Sequence, residues 1–512
     1  MNLASLLQRS ARLHPDRTAV FSGMEPVQTY RLLAERSARL ASAMRELWRL
    51  SPNERVAIVS SNKPAFVEVL FAVWGAGLVV VPVNPRLHPS EMRYILEHSS
   101  ARACFVSQDL LDTAGGAAAE AGVRRLMVMR GREYEALFTG EALAMTEREA
   151  TDPAWLFYTS GTTGRPKGAV LSNRNLLAMT TGYFTDFERL QPGDGILHIA
   201  PVCHGSGLYI LPHVLAAAAQ IMPEEASFSP AEAKDLIERH GRVGFFAAPT
   251  IVRRLAEHCE RTGFDAARLR LIVYGGAPMY REDLDRALGV FGPRMAQVYG
   301  QGETPMAISV LPAWCHDAAS PDFNPERLGT VGYAQSVVQV RIACDEDRSL
   351  PPGELGEVLV RGDTVMNGYL DNPQASAEAL RGGWLHTGDV GVMDADGFIT
   401  LKDRSKDVII SGGSNIYPRE VEEVLLTHPG VAEVSVIGVP DREWGEAVAA
   451  FVVRTPGSQA SEAELDRHCL AAIARYKRPK RYHFIDDLPK SHIGKVLKTK
   501  LREMAASEWP KR

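Results

Sequence analysis

The sequence predicts an α/β protein: a large N-terminal domain (residues 1–403) of doubly wound, mostly parallel sheets with a β-rich subdomain near 331–403, and a small α+β C-terminal domain (407–512). Three observations carry that prediction. Residues 55–61 (RVAIVSS), 65–75 and 78–83 read in order as a β-branched run, a longer apolar segment and a second β-branched run, which is a βαβ unit. The same alternation recurs at 195–200, 231–240, 244–248, 252–258 and 271–274. From about residue 331 the texture changes to short strands and Gly/Asp turns, as in GELGEVLVRG and DVGVMDADGFITLKDR.

Beyond residue 406 a helix is expected from Pro418, because proline suits a first helical turn and Val421, Val424 and Leu425 make one apolar face. Strand-like runs at 431–439 and 447–453 complete the α+β set. The Lys/Arg-rich tail from Tyr476 reads either as a solvated basic face or as a phosphate contact. With 512 residues, 45% of them hydrophobic, the chain exceeds what one core organises, so two or more domains are expected.

Charge and composition narrow the function classes. A formal net charge of −5 is not the basic field of a nucleic-acid coat or a polybasic membrane binder, so any nucleotide must be held locally. The six cysteines, Cys104, Cys203, Cys259, Cys315, Cys344 and Cys469, never form a C-x-x-C pair, which indicates neither a zinc site nor a disulfide framework. Reduced thiols fit a cytoplasmic protein. Residues 1–12 lack the apolar centre and cleavage site of a secretory signal. The most hydrophobic segment, 69–81, is about 13 residues long where a membrane span needs roughly 20.

The segment that carries most chemistry is 158–168, YTSGTTGRPKG. Its glycines permit turns with free backbone N–H groups, Thr159, Ser160, Thr162 and Thr163 add hydroxyls, and Lys167 adds a cation, all suited to a polyphosphate. It departs from the Walker spacing G-x-x-x-x-G-K-[ST], which disfavours an ordinary P-loop NTPase.

With four further ordered blocks, the chain resembles the adenylate-forming (AMP-binding) superfamily of acyl-CoA synthetases, luciferases and nonribosomal adenylation domains. The blocks are YGQGETP (299–305), GWLHTGDVG (383–391), KDRSKDVIISGGSNIYPREVE (402–422) and PKSHIGKVLK (489–498). The resemblance implies an acyl-CoA ligase. A carboxylic acid and ATP would give acyl-AMP and pyrophosphate, then coenzyme A would give acyl-CoA and AMP, with Mg²⁺ as cofactor.

It also implies residue roles. Thr159, Ser160, Gly161, Thr162, Thr163, Gly164 and Lys167 would hold the phosphates, and Glu303 would bind Mg²⁺, which takes few carboxylates together with phosphate oxygens and water. Tyr299, Gly276 and Ala277 would line the adenine pocket, while Asp389, helped by Arg404, would grip the ribose hydroxyls. Lys495 would bridge the attacking carboxylate and the α-phosphate. A mobile C-terminal domain would turn about a hinge at 404–406, with Lys406 at its centre, and bring Gly412 and Gly413 beside the pantetheine arm of coenzyme A.

The pattern departs from the family at one place. Where the usual block has a threonine before the glutamate, this chain has Gly302, with Thr304 following the glutamate as a candidate replacement contact to ATP. In PVCHGSGL (201–208) the aspartate of amino-acid-activating relatives is absent, so an α-amino acid is not the expected substrate. His204 reads either as a group that orients the carboxylate or as a satisfied half-buried histidine. The remaining wall candidates, 246–249, 275–277, Gly300 and Met306, are apolar or small. They place a medium- or long-chain fatty acid first and an aryl or phenylpropenoid acid second. An enzyme loading a carrier protein in trans and a catalytically silent nucleotide-binding scaffold are the rivals. No nucleic-acid partner is expected, and a homodimer is compatible with the sequence.

Overall fold

The computed structural model describes the chain except residues 160–165, 226, 278, 405–406, 412–413, 442–443, 474, 492–495 and 509–512, and the side chains of 403, 404, 410, 414, 415 and 508. Contacts divide it into two compact units, Met1–Val340 with Val360–His386, and Arg341–Leu359 with Thr387–Arg512.

The first unit opens with a hairpin, β1 (Thr18–Ser22) and β2 (Glu25–Thr29). Six strands follow: β3 (Arg55–Val59), β4 (Val79–Val83), β5 (Ala103–Val106), β6 (Arg125–Val128), β7 (Pro153–Thr159) and β8 (Lys167–Ser172). They form one sheet in the order β6-β5-β3-β4-β7-β8, parallel except for the β7–β8 hairpin. Every residue of β4 (VVVPV) is buried, as expected of a strand covered on both faces. The helix Ala65–Gly75 that links β3 to β4 is buried nearly all round. Its one carboxylate, Glu68, accepts from Arg36, Gln28 and Tyr134, so the buried charge is fully paired.

The second sheet takes β9 (Gly195–Leu197), β10 (Ala219–Met222), β11 (Val243–Ala247), β12 (Leu269–Gly275), β13 (Met295–Gln301), β14 (Thr304–Leu311) and β15 (Tyr333–Ala334). With the opening hairpin it makes nine strands in the order β15-β14-β13-β12-β11-β9-β10-β1-β2. Strands β9, β11, β12 and β13 run parallel, so the loops after them emerge along one carboxyl edge. Crevices at that edge are where open α/β sheets bind ligands.

Strands β16 (Val338–Ala343), β17 (Leu355–Gly362), β18 (Leu385–Met393) and β19 (Ile399–Arg404) form a four-stranded sheet in chain order. In the second unit β20 (Ile409–Ser411), β21 (Ser414–Ile416), β22 (Val431–Asp441), β23 (Gly445–Arg454) and β24 (Arg481–Phe484) make a five-stranded sheet. The expected helix is present as Pro418–Leu426, and its Val421 and Leu425 pack on Val434, Val436 and Val448. Among the described residues no helix is long and apolar enough to cross a membrane.

Candidate active site

The hairpin β7–β8 frames the glycine-rich segment. Thr159 pairs with Lys167 and Tyr158 with Gly168, so both ends of the loop are set by the ladder. A side chain at position 168 would press on the Tyr158 ring, with a Cβ only 3.1 Å from Cζ, which accounts for the glycine. Ser160, Gly161, Thr162, Thr163 and Gly164 lie outside the described residues.

Glu303 occupies the turn between β13 and β14 and meets this hairpin. Its Oε1 accepts from the Tyr369 hydroxyl at 2.8 Å and from Thr159 Oγ1 at 3.3 Å. The Lys167 ammonium stands over the Tyr369 ring, 5.0 Å from its centroid. Burial, then the Glu303 carboxylate, push the Tyr369 phenol well above its ordinary range, so it stays a donor.

Tyr369 escaped the sequence reading, and backbone pairing puts it there. Segment 366–370 runs beside β8: Val170 N–H donates to Gly368 O, Asn367 N–H to Val170 O and Leu370 N–H to Gly168 O. Met366 N–H donates to the Glu303 carbonyl at 2.8 Å. Buried Asn175, in the first turn of the helix Asn173–Asp186, donates to the carbonyls of Asp363 and Val365 and anchors the preceding residues.

Mg²⁺ was expected at Glu303. Among the described residues no group of three or more His, Cys, Asp or Glu side chains could hold a metal. A single carboxylate oriented by two hydroxyls fits a Mg²⁺ ion whose other ligands are phosphate oxygens and water.

The expectation for Thr304 needs correction. Its side chain is fully buried and its Oγ1 is 2.9 Å from Thr364 Oγ1, so it braces β14 against the 363–365 segment and does not face a nucleotide. The missing family threonine also has a local cause. A Cβ at Gly302 would sit 2.3 Å from Thr159 Cγ2 and 2.7 Å from Phe157 Cδ1, so β7 already fills that space.

Gly276 and Ala277 follow β12, and Tyr299 lies near the end of β13, on the parallel pair in which Gly275 is opposite Val298. Gly276 has φ +82°, a left-handed turn that glycine adopts without strain. Tyr299 is nearly buried, 8% exposed. In Gly300, a Cβ would fall 2.7 Å from the Met306 backbone nitrogen, where the β13–β14 register shifts.

His204 lies after β9 at the same edge. Asn84 Oδ1 accepts from Arg86 N–H, which turns its amide NH₂ toward His204 Nε2 at 3.3 Å. With the Asn84 amide as donor, Nε2 is the acceptor of this contact. The ring also stands 5.7 Å from that of Phe157. Asn84, almost fully buried, is a second residue the sequence reading missed. Neighbouring Cys203 is buried and burial pushes its thiol up to about 12, which removes it as a nucleophile.

In the second unit, Asp389 on β18 stands opposite Arg404 on β19. Asp389 is 7% exposed, and its N–H donates to Thr387 Oγ1, which itself donates to Val358 O. The Arg404 side chain, Lys406, Gly412, Gly413 and Lys495 lie outside the described residues.

Residues 7–370 match the family model described as AMP-binding enzyme, and 420–495 match that of the AMP-binding enzyme C-terminal domain. The chain belongs to the AMP-binding enzyme family. It is 37% identical to a feruloyl-CoA synthase of an Amycolatopsis species, over 98% of both chains. It is 31% identical to a long-chain-fatty-acid–CoA ligase of Escherichia coli O6:H1, over 98% of this chain and 94% of that one. Among solved structures, ATP-bound MatB from Rhodopseudomonas palustris superposes with a TM-score of 0.88 at 30% identity, covering 99% of this chain and 100% of that one. This member of the AMP-binding family is an AMP-forming acid–thiol ligase, of the acyl-CoA synthetase type.

Proposed function

We propose that the enzyme converts an aryl or phenylpropenoid acid to its CoA thioester. The carboxylate oxygen attacks the α-phosphorus of ATP, the bond to the bridging oxygen of the β-phosphate breaks, and pyrophosphate leaves. The CoA thiol then attacks the acyl carbon, loses its proton, and AMP departs with the oxygen of the original carboxylate.

The observation that carries the activation step is the Thr159–Glu303–Tyr369 cluster with Lys167 beside it. Both reactants are anionic, so the site must offset phosphate charge and hold the reacting atoms in line. Lys167 supplies a cation at the mouth of the loop. Tyr369 and Thr159 aim the Glu303 carboxylate, and a Mg²⁺ ion held there would draw charge from the phosphate oxygens. His204, oriented by Asn84, faces the acid from the carboxyl edge of β9.

Two observations favour a ring over a long chain. A Cβ at Gly205 would be 2.7 Å from Phe246 Cε1 and 3.1 Å from Met306 Cε, so these two side chains close over the start of the helix Gly205–Leu208. Behind them lies a cluster rich in aromatics, Tyr183, Phe184, Phe187 and Tyr209. Aromatic faces of this kind favour stacking with a flat ring over contact with an extended chain. The greater identity to the feruloyl-CoA synthase points the same way.

Pyrophosphate release over a panel of aryl, short and long-chain acids tests this, with CoA or a phosphopantetheinylated carrier as acceptor. Aryl acids with CoA should give the highest kcat/KM. A preference for long-chain acids would reverse the substrate assignment, a preference for the carrier would change the acceptor, and silence with every acid would overturn the activation step.

A further inference from the structure

The geometry points to the Tyr209 hydroxyl as a specificity-determining group: it hydrogen-bonds an oxygen substituent on the ring of the acid, so the substrate class is a hydroxylated aryl acid. This rests on the aryl reading above and narrows it.

Tyr209 joins the helices Gly205–Leu208 and Ile210–Leu215, directly after the His204 loop. It is 2% exposed. Its ring is 5.7 Å from that of Phe246, the residue that closes on Gly205, and 5.3 Å from that of Tyr183. Yet its hydroxyl oxygen is buried with no hydrogen-bond partner among the described residues.

That is a costly arrangement for a side chain phenylalanine could replace. The other tyrosines around it show the usual solution. Tyr183 donates to Glu188 at 2.6 Å, and Tyr274 reaches His316 at 2.9 Å. Tyr209 lies in the same apolar cluster as Phe246 and Met306, and Phe246 is the penultimate residue of β11, at its carboxyl end. An acid whose carboxylate is held near His204 and whose ring passes Phe246 carries its far substituent toward this phenol. A hydroxyl there can donate or accept, and a methoxy oxygen can accept, so either completes the missing bond.

Sites built to bond a substrate hydroxyl reject the analogue lacking it far more strongly than apolar pockets discriminate size. The test compares 4-hydroxycinnamic acid with cinnamic acid, in the wild type and in Tyr209→Phe, as kcat/KM from pyrophosphate release. The wild type should prefer the hydroxylated acid by at least about 10-fold, and Tyr209→Phe should bring that ratio to near unity. Without substrate, the variant should unfold at the same temperature as the wild type or a higher one, since it loses an unpaired polar group. An unchanged ratio in the variant, or a lowered unfolding temperature, overturns the assignment. A wild type that uses both aryl acids equally also overturns it while leaving the aryl reading intact, whereas failure with both aryl acids and turnover of long-chain ones sinks the aryl reading itself.

Discussion

Restoring the family threonine at position 302 should damage the enzyme. A Cβ at that position has Thr159 Cγ2 at 2.3 Å and the Phe157 ring at 2.7 and 3.1 Å, and threonine adds two further heavy atoms. Relief requires moving β7, because Phe157 and Thr159 are successive odd positions of that strand and share a face. Overpacking of this kind costs about 1–3 kcal/mol. Part of that cost falls on the site, since Thr159 donates to Glu303 and Phe157 lies against His204. If it is expressed at the transition state, Gly302→Thr lowers kcat/KM for pyrophosphate release by roughly 5- to 150-fold. Thr159→Ser keeps the hydroxyl and removes Cγ2, so the double variant should recover part of the loss, leaving the Phe157 conflict. A Gly302→Thr enzyme that adenylates as fast as wild type or faster, with an unchanged unfolding temperature, would refute the steric account.

Three more outcomes are expected. Tyr369→Phe removes a hydrogen bond to a carboxylate, worth about 1.5–3 kcal/mol, so kcat/KM should fall roughly ten- to hundredfold and half-maximal rate should require more Mg²⁺; an unchanged Mg²⁺ titration would count against orientation of Glu303 by Tyr369. Lys495→Ala should abolish pyrophosphate release while retaining most thioester formation from supplied acyl-AMP, and equal loss in both steps would remove its assignment to the first half-reaction. Burial lowers His198 from 6.5 to about 4, so the unfolded chain takes up a proton in that window that the folded protein refuses. Its stabilising effect is complete above about pH 6.5, amounts to a loss of about 2 kcal/mol by pH 5, and levels off below about pH 4. Urea midpoints at pH 7 and pH 5 should therefore converge between wild type and His198→Gln at the lower pH; a constant difference would exclude the histidine.

His198 also shows how the fold supports the site. Gln220 Nε2 donates to Ala218 O, which leaves Oε1 for His198 Nε2–H, and His198 Nδ1 then accepts from Ser206 two residues beyond His204. A buried neutral imidazole thus ties the loop carrying His204 to β10.

Local patterns were readable because they depend on neighbours in the chain. The helix expected at 65–75 is Ala65–Gly75, and the strand expected at 431–439 is the first part of Val431–Asp441. The blocks that carry the family resemblance were legible for a similar reason: each is a short contiguous string, and the two family models match residues 7–370 and 420–495. Even Gly302 was visible as a departure, although its cause was not, since Phe157 and Thr159 reach it from another sheet.

The residue types, their order along the chain and the reaction class they imply were thus contained in the sequence alone, because each motif is a short contiguous string. Partner choice was decided by tertiary structure. Tyr369 and Glu303 are 66 residues apart and Asn84 and His204 are 120 apart, so no spacing rule joins them. Thr304 turned out to face inward and Tyr209 to keep a buried, unpaired hydroxyl, because strand register and packing, not residue type, determine which side of an element meets the substrate.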